Sequence, residues 1–242
     1  MRNLFFVFIL IFPFFCFSQD RKYVFIGLES ETIRNYQALN LILDDYNSFH
    51  NQYNISTEKI FATPEYLYGI NFGYKIHHRF MELGAEFHFI SYKTCSEGID
   101  SSYTEYKKNL LIAHNGFTVA TRFLFVNTNF FRTGPGIGLK IEQYTARIFD
   151  GETMAFFVKS PVSKPLPSLQ LHYGISCGGP KFNLDIIAFY NHPLLKINLQ
   201  KLNETLNYGY HIQYSLNELS LKHETVGISL KIGFGSKENY DF

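Results

Sequence analysis

Strict alternation of apolar and polar side chains, repeated in segment after segment, restricts the fold of this chain more than any other feature. Between residues 80 and 92, Met81, Leu83, Ala85, Phe87 and Phe89 take one parity, while Glu82, Gly84, Glu86 and His88 take the other. That is the period of a strand with one greasy and one polar face. Just upstream, Tyr66, Tyr68, Ile70, Phe72 and Tyr74 oppose Gly69, Asn71, Gly73 and Lys75, and only Leu67 breaks the pattern. Further runs place Leu111, Ala113, Phe117, Val119, Phe123 and Phe125 against His114, Gly116, Thr118 and Arg122, and Phe131, Ile137, Leu139 and Ile141 against Arg132, Gly134, Gly136, Gly138, Lys140 and Glu142. Leu169, Leu171, Tyr173 and Ile175 form another, as do Phe182, Leu184, Ile186 and Ala188, and Val226, Ile228, Leu230, Ile232 and Phe234. With residues 22–29 as a weaker first member, eight strands are predicted. The 26 Phe, 17 Tyr and 17 Gly beside 3 Met favour the same outcome over a helix bundle.

The connections alternate in length. Residues 75–78, 126–129 and 177–180 make three tight turns, whereas residues 30–65, 93–106, 144–164 and 191–224 make four long loops on the opposite rim. Short turns at one end and long loops at the other are the arrangement of an outer-membrane barrel, with turns in the periplasm and loops outside the cell. A soluble sandwich or lipocalin-like barrel would turn its apolar face inward. Three features favour the inverted arrangement. The polar face is rich in glycine, as a narrow eight-stranded interior requires. It carries both signs of charge, in Glu82, Glu86, Arg122, Arg132, Lys140, Glu142, Asp185 and Lys231, which form a candidate lumen charge network of structural character. Aromatics gather near strand ends, at Tyr66, Tyr68, Phe125, Phe130, Phe131, Tyr190 and Phe234, as an interfacial girdle does.

Two segments stand apart from the strands. Within about residues 31–51, Ile33, Tyr36, Leu39, Leu43, Tyr46 and Phe49 recur three or four apart with Asp44 and Asp45 opposite, so the first long loop is expected to carry an amphipathic helix. At the start, Met1, Arg2 and Asn3 precede fourteen uncharged residues, with Cys16 and Ser18 at the −3 and −1 positions of a cleavage site. Residues 1–18 therefore read as a secretory signal, since fourteen residues fall short of the ~20 a membrane-spanning helix needs. Residues 19–242 are then the barrel domain.

The residues also resemble a known group. The signal end Phe17-Ser18-Gln19, the insert Asn40-Leu41-Ile42-Leu43-Asp44-Asp45-Tyr46-Asn47, the strand pair Gly69-Ile70-Asn71-Phe72-Gly73-Tyr74 and Met81-Glu82-Leu83-Gly84, and the last strand are similar to small outer-membrane β-barrel proteins of Bacteroidetes-type bacteria, broadly OmpA- and PorT-like. Gly227-Ile228-Ser229-Leu230-Lys231-Ile232-Gly233-Phe234 resembles the terminal-strand signal that such proteins present to the barrel-assembly machinery, here followed by residues 235–242. The resemblance implies an address and a fold rather than a reaction.

Known catalytic and metal spacings are missing: there is no His-Glu-x-x-His, no Cys-x-x-Cys and no Gly-x-Ser-x-Gly. Gly134-Pro135-Gly136-Ile137-Gly138 lies inside a strand with no helix after it, so its glycines are expected to make space rather than to bind a dinucleotide. His77 and His78 are expected to be solvated in a turn. His88, His114 and His172, with Glu86 or Ser168, supply the residue types of a hydrolytic constellation, but they face the lumen and no catalysis is expected. Cys95 in the second long loop and Cys177 at a turn would stand on opposite sides of a hydrocarbon layer ~30 Å thick, too far for a disulfide. A net charge of +1 leaves no basic excess for nucleic acid.

The expectation is an all-β, eight-stranded antiparallel up-and-down transmembrane β-barrel with one amphipathic helix in its first long extracellular loop. It would be exported to the outer membrane and act structurally or through its loops, with no cofactor. Its expected partners are outer-membrane lipid, the barrel-assembly machinery during biogenesis and a protein bound by the extracellular loops. The rival readings are a small pore or transporter, a lipid-modifying enzyme, and a soluble exported ligand-binding barrel.

Overall fold

The computed structural model describes residues 21–151, 160–208, 214–215 and 217–236; the expected signal, residues 1–18, lies outside them. Eight long strands form the wall: β1 (Arg21–Ile33), β2 (Leu67–His78), β3 (Met81–Ile99), β4 (Glu105–Phe123), β5 (Phe131–Asp150), β6 (Val162–Gly178), β7 (Phe182–Pro193) and β8 (Thr225–Ser236). Each pairs antiparallel with its sequence neighbour, and β1 pairs with β8 from Lys22 opposite Ser236 to Ile33 opposite Thr225. The sheet is therefore a closed cylinder without a free edge.

The alternation sets which side faces out. Val24, Ile26 and Leu28 on β1, Ile70 and Phe72 on β2, Phe87 and Phe89 on β3, Leu139 and Ile141 on β5, and Ile228, Leu230 and Phe234 on β8 are exposed on the outer surface. Glu29, Lys75, Glu82, Arg122, Arg132, Lys140, Asp185 and Lys231, at the opposite parity, are buried inside. Eight strands leave an interior that side chains can fill, and glycine adjusts the room: a Cβ on Gly174 would meet the Arg122 guanidinium, and one on Gly136 the His172 ring.

Strand length divides the wall in two. β1, β2, β7 and β8 have 12 or 13 residues, close to the ~9–11 that cross a bilayer at a tilt. β3 to β6 run to 17–20 residues and project beyond the others at one end. There the facing reverses. Ile90, Leu110, Ile112, Tyr144, Ala146, Val162 and Leu166 point inward and are buried, whereas Ser91, Lys93 and Gln143 point outward. Below that level oil is outside and ions inside; above it the strands follow the rule of a water-soluble sheet.

This reversal corrects two expected loops. Residues 93–106 are not a loop: β3 and β4 continue through them as a ladder and leave only residues 100–104 at the tip, where the Asp100 carboxylate accepts bonds from the Ser102 and Thr104 amides at 2.8 and 3.0 Å. Of residues 144–164, residues 144–150 and 162–164 likewise belong to β5 and β6, paired from Ala146 with Val162 downward. The turn between β4 and β5 is wider than expected, spanning residues 124–130 with Val126–Asn127 paired to β5.

Helix α1 (Gln37–Tyr53) stands between β1 and β2, and α2 (Gln200–Leu206) between β7 and β8. The apolar spacing read from residue 31 begins in the strand: Ile33 ends β1, and the helix starts after Tyr36. No helix among the described residues is long and apolar enough to cross a membrane. Ala38, Leu39, Ile42, Leu43 and Tyr46 of α1 are buried with Leu202 and Leu206 of α2, Leu67, and the reversed upper faces of β3 to β6, in one hydrophobic cluster. Leu67, the residue that broke its strand's alternation, is the foot of this cluster. The helices thus fill the mouth of the cylinder.

Candidate functional site: the charged lumen and its apolar plug

All eight residues expected to line the lumen lie inside the cylinder with side chains almost fully covered, in two tiers. In the lower tier, near the short turns, Lys75 pairs with Asp185 and stands 3.4 Å from Glu82, while Arg122 pairs with Glu82 at 2.9 Å and lies 3.9 Å from Asp185. Arg132 donates to the Asn183 amide oxygen, and its guanidinium lies over the Tyr23 ring, 5.8 Å from the centroid. Asn183 in turn donates to Asp185 Oδ1 at 2.7 Å.

The upper tier is built around Lys140, whose Nζ donates to Glu31 Oε1 at 2.8 Å and lies 2.7 Å from Glu142 and 3.7 Å from Glu29. His88 Nδ1 is 2.7 Å from Glu29 Oε2, and its Nε2 is 2.9 Å from the Thr118 hydroxyl and 3.3 Å from Glu86. Glu86 also pairs with Lys231, which lies over the Phe25 ring at 4.9 Å. Asn71 donates to Glu29 Oε2 at 2.7 Å and to Ser229 Oγ at 2.8 Å. Ion pairs and hydrogen bonds of this density offset part of the cost of taking charge out of water, which is several kcal/mol per ion when uncompensated. The network also includes Glu29, Glu31, Lys75 and His88, which the expected set of eight omitted. All four occupy the polar parity of their strands: the alternation already put Lys75 and His88 on the polar face, parity extended to β1 reaches Glu29, and Glu31 fell in the expected first loop because β1 runs on to Ile33.

Among the described residues, the interior holds a cavity of about 40 Å³ between the tiers, lined by Phe25, Glu86, Arg122, His172 and Lys231 among others. That is room for water molecules rather than for a channel. Above it sits the plug. Asn47 of α1 donates to the Phe61 carbonyl and accepts from the Phe61 amide, both at 2.9 Å. Asn207 donates to the Ile42 carbonyl at 3.1 Å, and the Tyr214 hydroxyl donates to Asp45 at 2.8 Å. Burial and the Asp45 charge push the Tyr214 hydroxyl up to about 12, so this bond persists through the neutral range.

The histidines separate by place. His77 faces inward and is buried, against the expectation of a solvated turn, because β2 continues through it to a two-residue turn at Arg79 and Phe80. Ser168 and His172 do not form a nucleophile–base pair: Ser168 Oγ and His172 Nδ1 are buried with no hydrogen-bond partner. His114 instead meets His223 beside Tyr144 at the floor of the plug. Cys95 lies within β3 rather than in a loop, Cys177 lies near the end of β6, and both thiols are free.

No family model matches this chain, and no curated protein matches it. Among solved structures, it is similar to Ail, the attachment invasion locus protein of Yersinia pestis, at 11% identity over 91% of this chain and 100% of that one, with a TM-score of 0.43. It is also similar to Neisserial surface protein A at 10% identity, over 89% and 97% of the two chains, with a TM-score of 0.44. The N-terminal β-barrel domain of Pseudomonas aeruginosa OprF matches at 10% identity, over 89% and 98%, with a TM-score of 0.35. These neighbours are eight-stranded outer-membrane barrels. At such identities and scores the likeness is one of shape, and no ligand or partner passes from them to this chain.

Proposed function

We propose that this chain is an integral outer-membrane β-barrel that acts as a structural or interaction protein through its projecting end, without catalysis. The observation that carries the proposal is the reversal of facing along β3 to β6. A belt of large apolar side chains rings the cylinder at the height of the ion-paired lumen, with Val24 62%, Leu28 64% and Ile228 59% exposed. Soluble monomers rarely expose a contiguous apolar patch above a few hundred Å², and moving each such side chain out of water is worth about 1.5–3 kcal/mol. Phe80, Phe125, Phe130 and Phe234 at the turn end and Tyr66 and Tyr68 at the other are exposed at the borders of the belt, where interfacial aromatics belong.

On this reading the turns face the periplasm, and residues 1–18 are removed on export. The assembly machinery engages the strand containing residues 227–234. The likeness to Bacteroidetes-type, OmpA- and PorT-like barrels stands as the proposed family. The surface offered outward is the β3–β4 hairpin, the tops of β5 and β6, and the exposed side of α1, with Glu97, Tyr106, Lys107 and Asp150 lining a groove beside His50. A protein bound there is the proposed partner. A conducting lumen is disfavoured by the ion pairs that cross it and by the plug.

Fractionation tests the address. The chain is expected in the outer-membrane fraction, resistant to alkaline extraction, and faster on an unboiled gel than on a boiled one. Recovery from the soluble periplasm, with no heat-dependent mobility, would overturn the proposal.

A further inference from the structure

Glu31 on β1, His114 on β4 and His223, just before β8, converge at the boundary between the ionic lumen and the apolar plug. One ligating atom from each lies within 4.8 Å of the others, and all three side chains are buried. His114 Nδ1 and His223 Nε2 are 3.2 Å apart. Two nitrogens ~2.1 Å from one metal ion stand about 3.0–3.4 Å apart for angles between square and tetrahedral. Glu31 uses only one of its oxygens: Oε1 accepts from Lys140, while Oε2 is buried with no partner. A buried carboxyl oxygen with nothing to bond is costly inside a protein, and a cation placed on it removes the cost. The surrounding charge agrees. Glu29, Glu31 and Glu142 converge on the single ammonium of Lys140, so the tier has carboxylate to spare.

We propose that Glu31, His114 and His223 form a buried binding site for a divalent first-row transition metal of the zinc class. Two imidazoles and one carboxylate suit such ions better than calcium or magnesium, which favour all-oxygen shells, or copper(I), which favours sulfur. Tyr144 braces both rings, with centroids 5.1 Å from His114 and 5.4 Å from His223. The ion would fasten the segment carrying His223, which follows the short ladder of Ser220 and Leu221 with Ile197 and Asn198, to two separate strands of the wall. Its role is structural: it locks the floor of the plug to the barrel.

The test uses the full chain folded in detergent, first stripped with chelator and then offered Zn²⁺ or Co²⁺. One equivalent of zinc per folded chain, visible Co²⁺ bands of nitrogen ligation, and a melting temperature raised by several degrees are expected. His114→Gln and His223→Gln should lower retained metal at least tenfold, while the control His192→Gln, at a partly exposed histidine, should retain it. The proposal is overturned if the folded wild-type chain keeps less than about a tenth of an equivalent, or if both site variants retain full metal. Should the variants not fold, the wild-type Co²⁺ spectrum decides: nitrogen-ligand bands support the site, and the spectrum of the aqueous ion overturns it.

Discussion

Lys140 shows how much one buried side chain can hold. Its ammonium serves Glu31 and Glu142 directly and Glu29 at longer range, so Lys140→Met leaves carboxylates facing one another without a counter-ion. We expect a loss of about 3–5 kcal/mol, read by urea unfolding of the lipid-inserted barrel in the presence of chelator. Adding Glu31→Gln and Glu142→Gln to that variant should return part of the loss, because the orphaned charge disappears with its partner. The eight expected ionic side chains were legible one at a time, since each sits at the polar parity of a strand with clear alternation, whereas Glu31 was not, because β1 runs beyond residue 29 into the expected loop. Their grouping was not legible, because pairs such as Lys75 with Asp185 or Lys140 with Glu31 join strands remote in sequence, and only the shear of the closed cylinder sets which rows meet. His77 was misread for a related reason: a residue beside a turn signal counts as solvated until the strand is seen to run through it.

At the level of strands and helices, the parts read correctly are those bathed by one environment along their length. On the proposed reading, alternation marks β2, β7 and β8, and more weakly β1, because lipid lies outside them almost end to end. It misplaces the ends of β3 to β6 because the apolar parity changes sides along each strand, as a change from lipid to water outside would require on the proposed reading. Ile90, Ile112 and Tyr144 then look like interruptions when they continue the same ladder. The projecting β3 edge is tied to the segment Ser56–Lys59 by the Lys59–Glu97 ion pair, with Lys107 3.6 Å from the same carboxylate. The hydrogen bond from Lys59, helped by the charges of Lys59 and Lys107, holds the Glu97 carboxyl below its ordinary value of 4.5. A lowered acid contributes its stabilisation above the unfolded value and loses it as pH falls through the folded one. Carbon-detected NMR should therefore find Glu97 titrating below 4.5, and Lys59→Gln should move it back toward that value. The pair is solvent-exposed, so its effect belongs to local order rather than to global stability.

For the molecule as a whole, the interior is closed twice, by crossed ion pairs in the cylinder and by packed helices above them. The purified barrel should give no steady single-channel currents in planar bilayers. Stepwise conductance would mean that the lumen opens and that transport has to be reconsidered. The wall itself is sealed by its first and last strands, joined over twelve register pairs from Lys22 to Ile33, and this has a consequence for biogenesis. The greasy side of α1 is encoded immediately after β1, yet the surfaces that cover it belong to strands made later. A growing chain therefore carries that side uncovered until β3 to β6 and α2 have been made and folded against it. Until then, protection from aggregation has to come from escorts outside the chain.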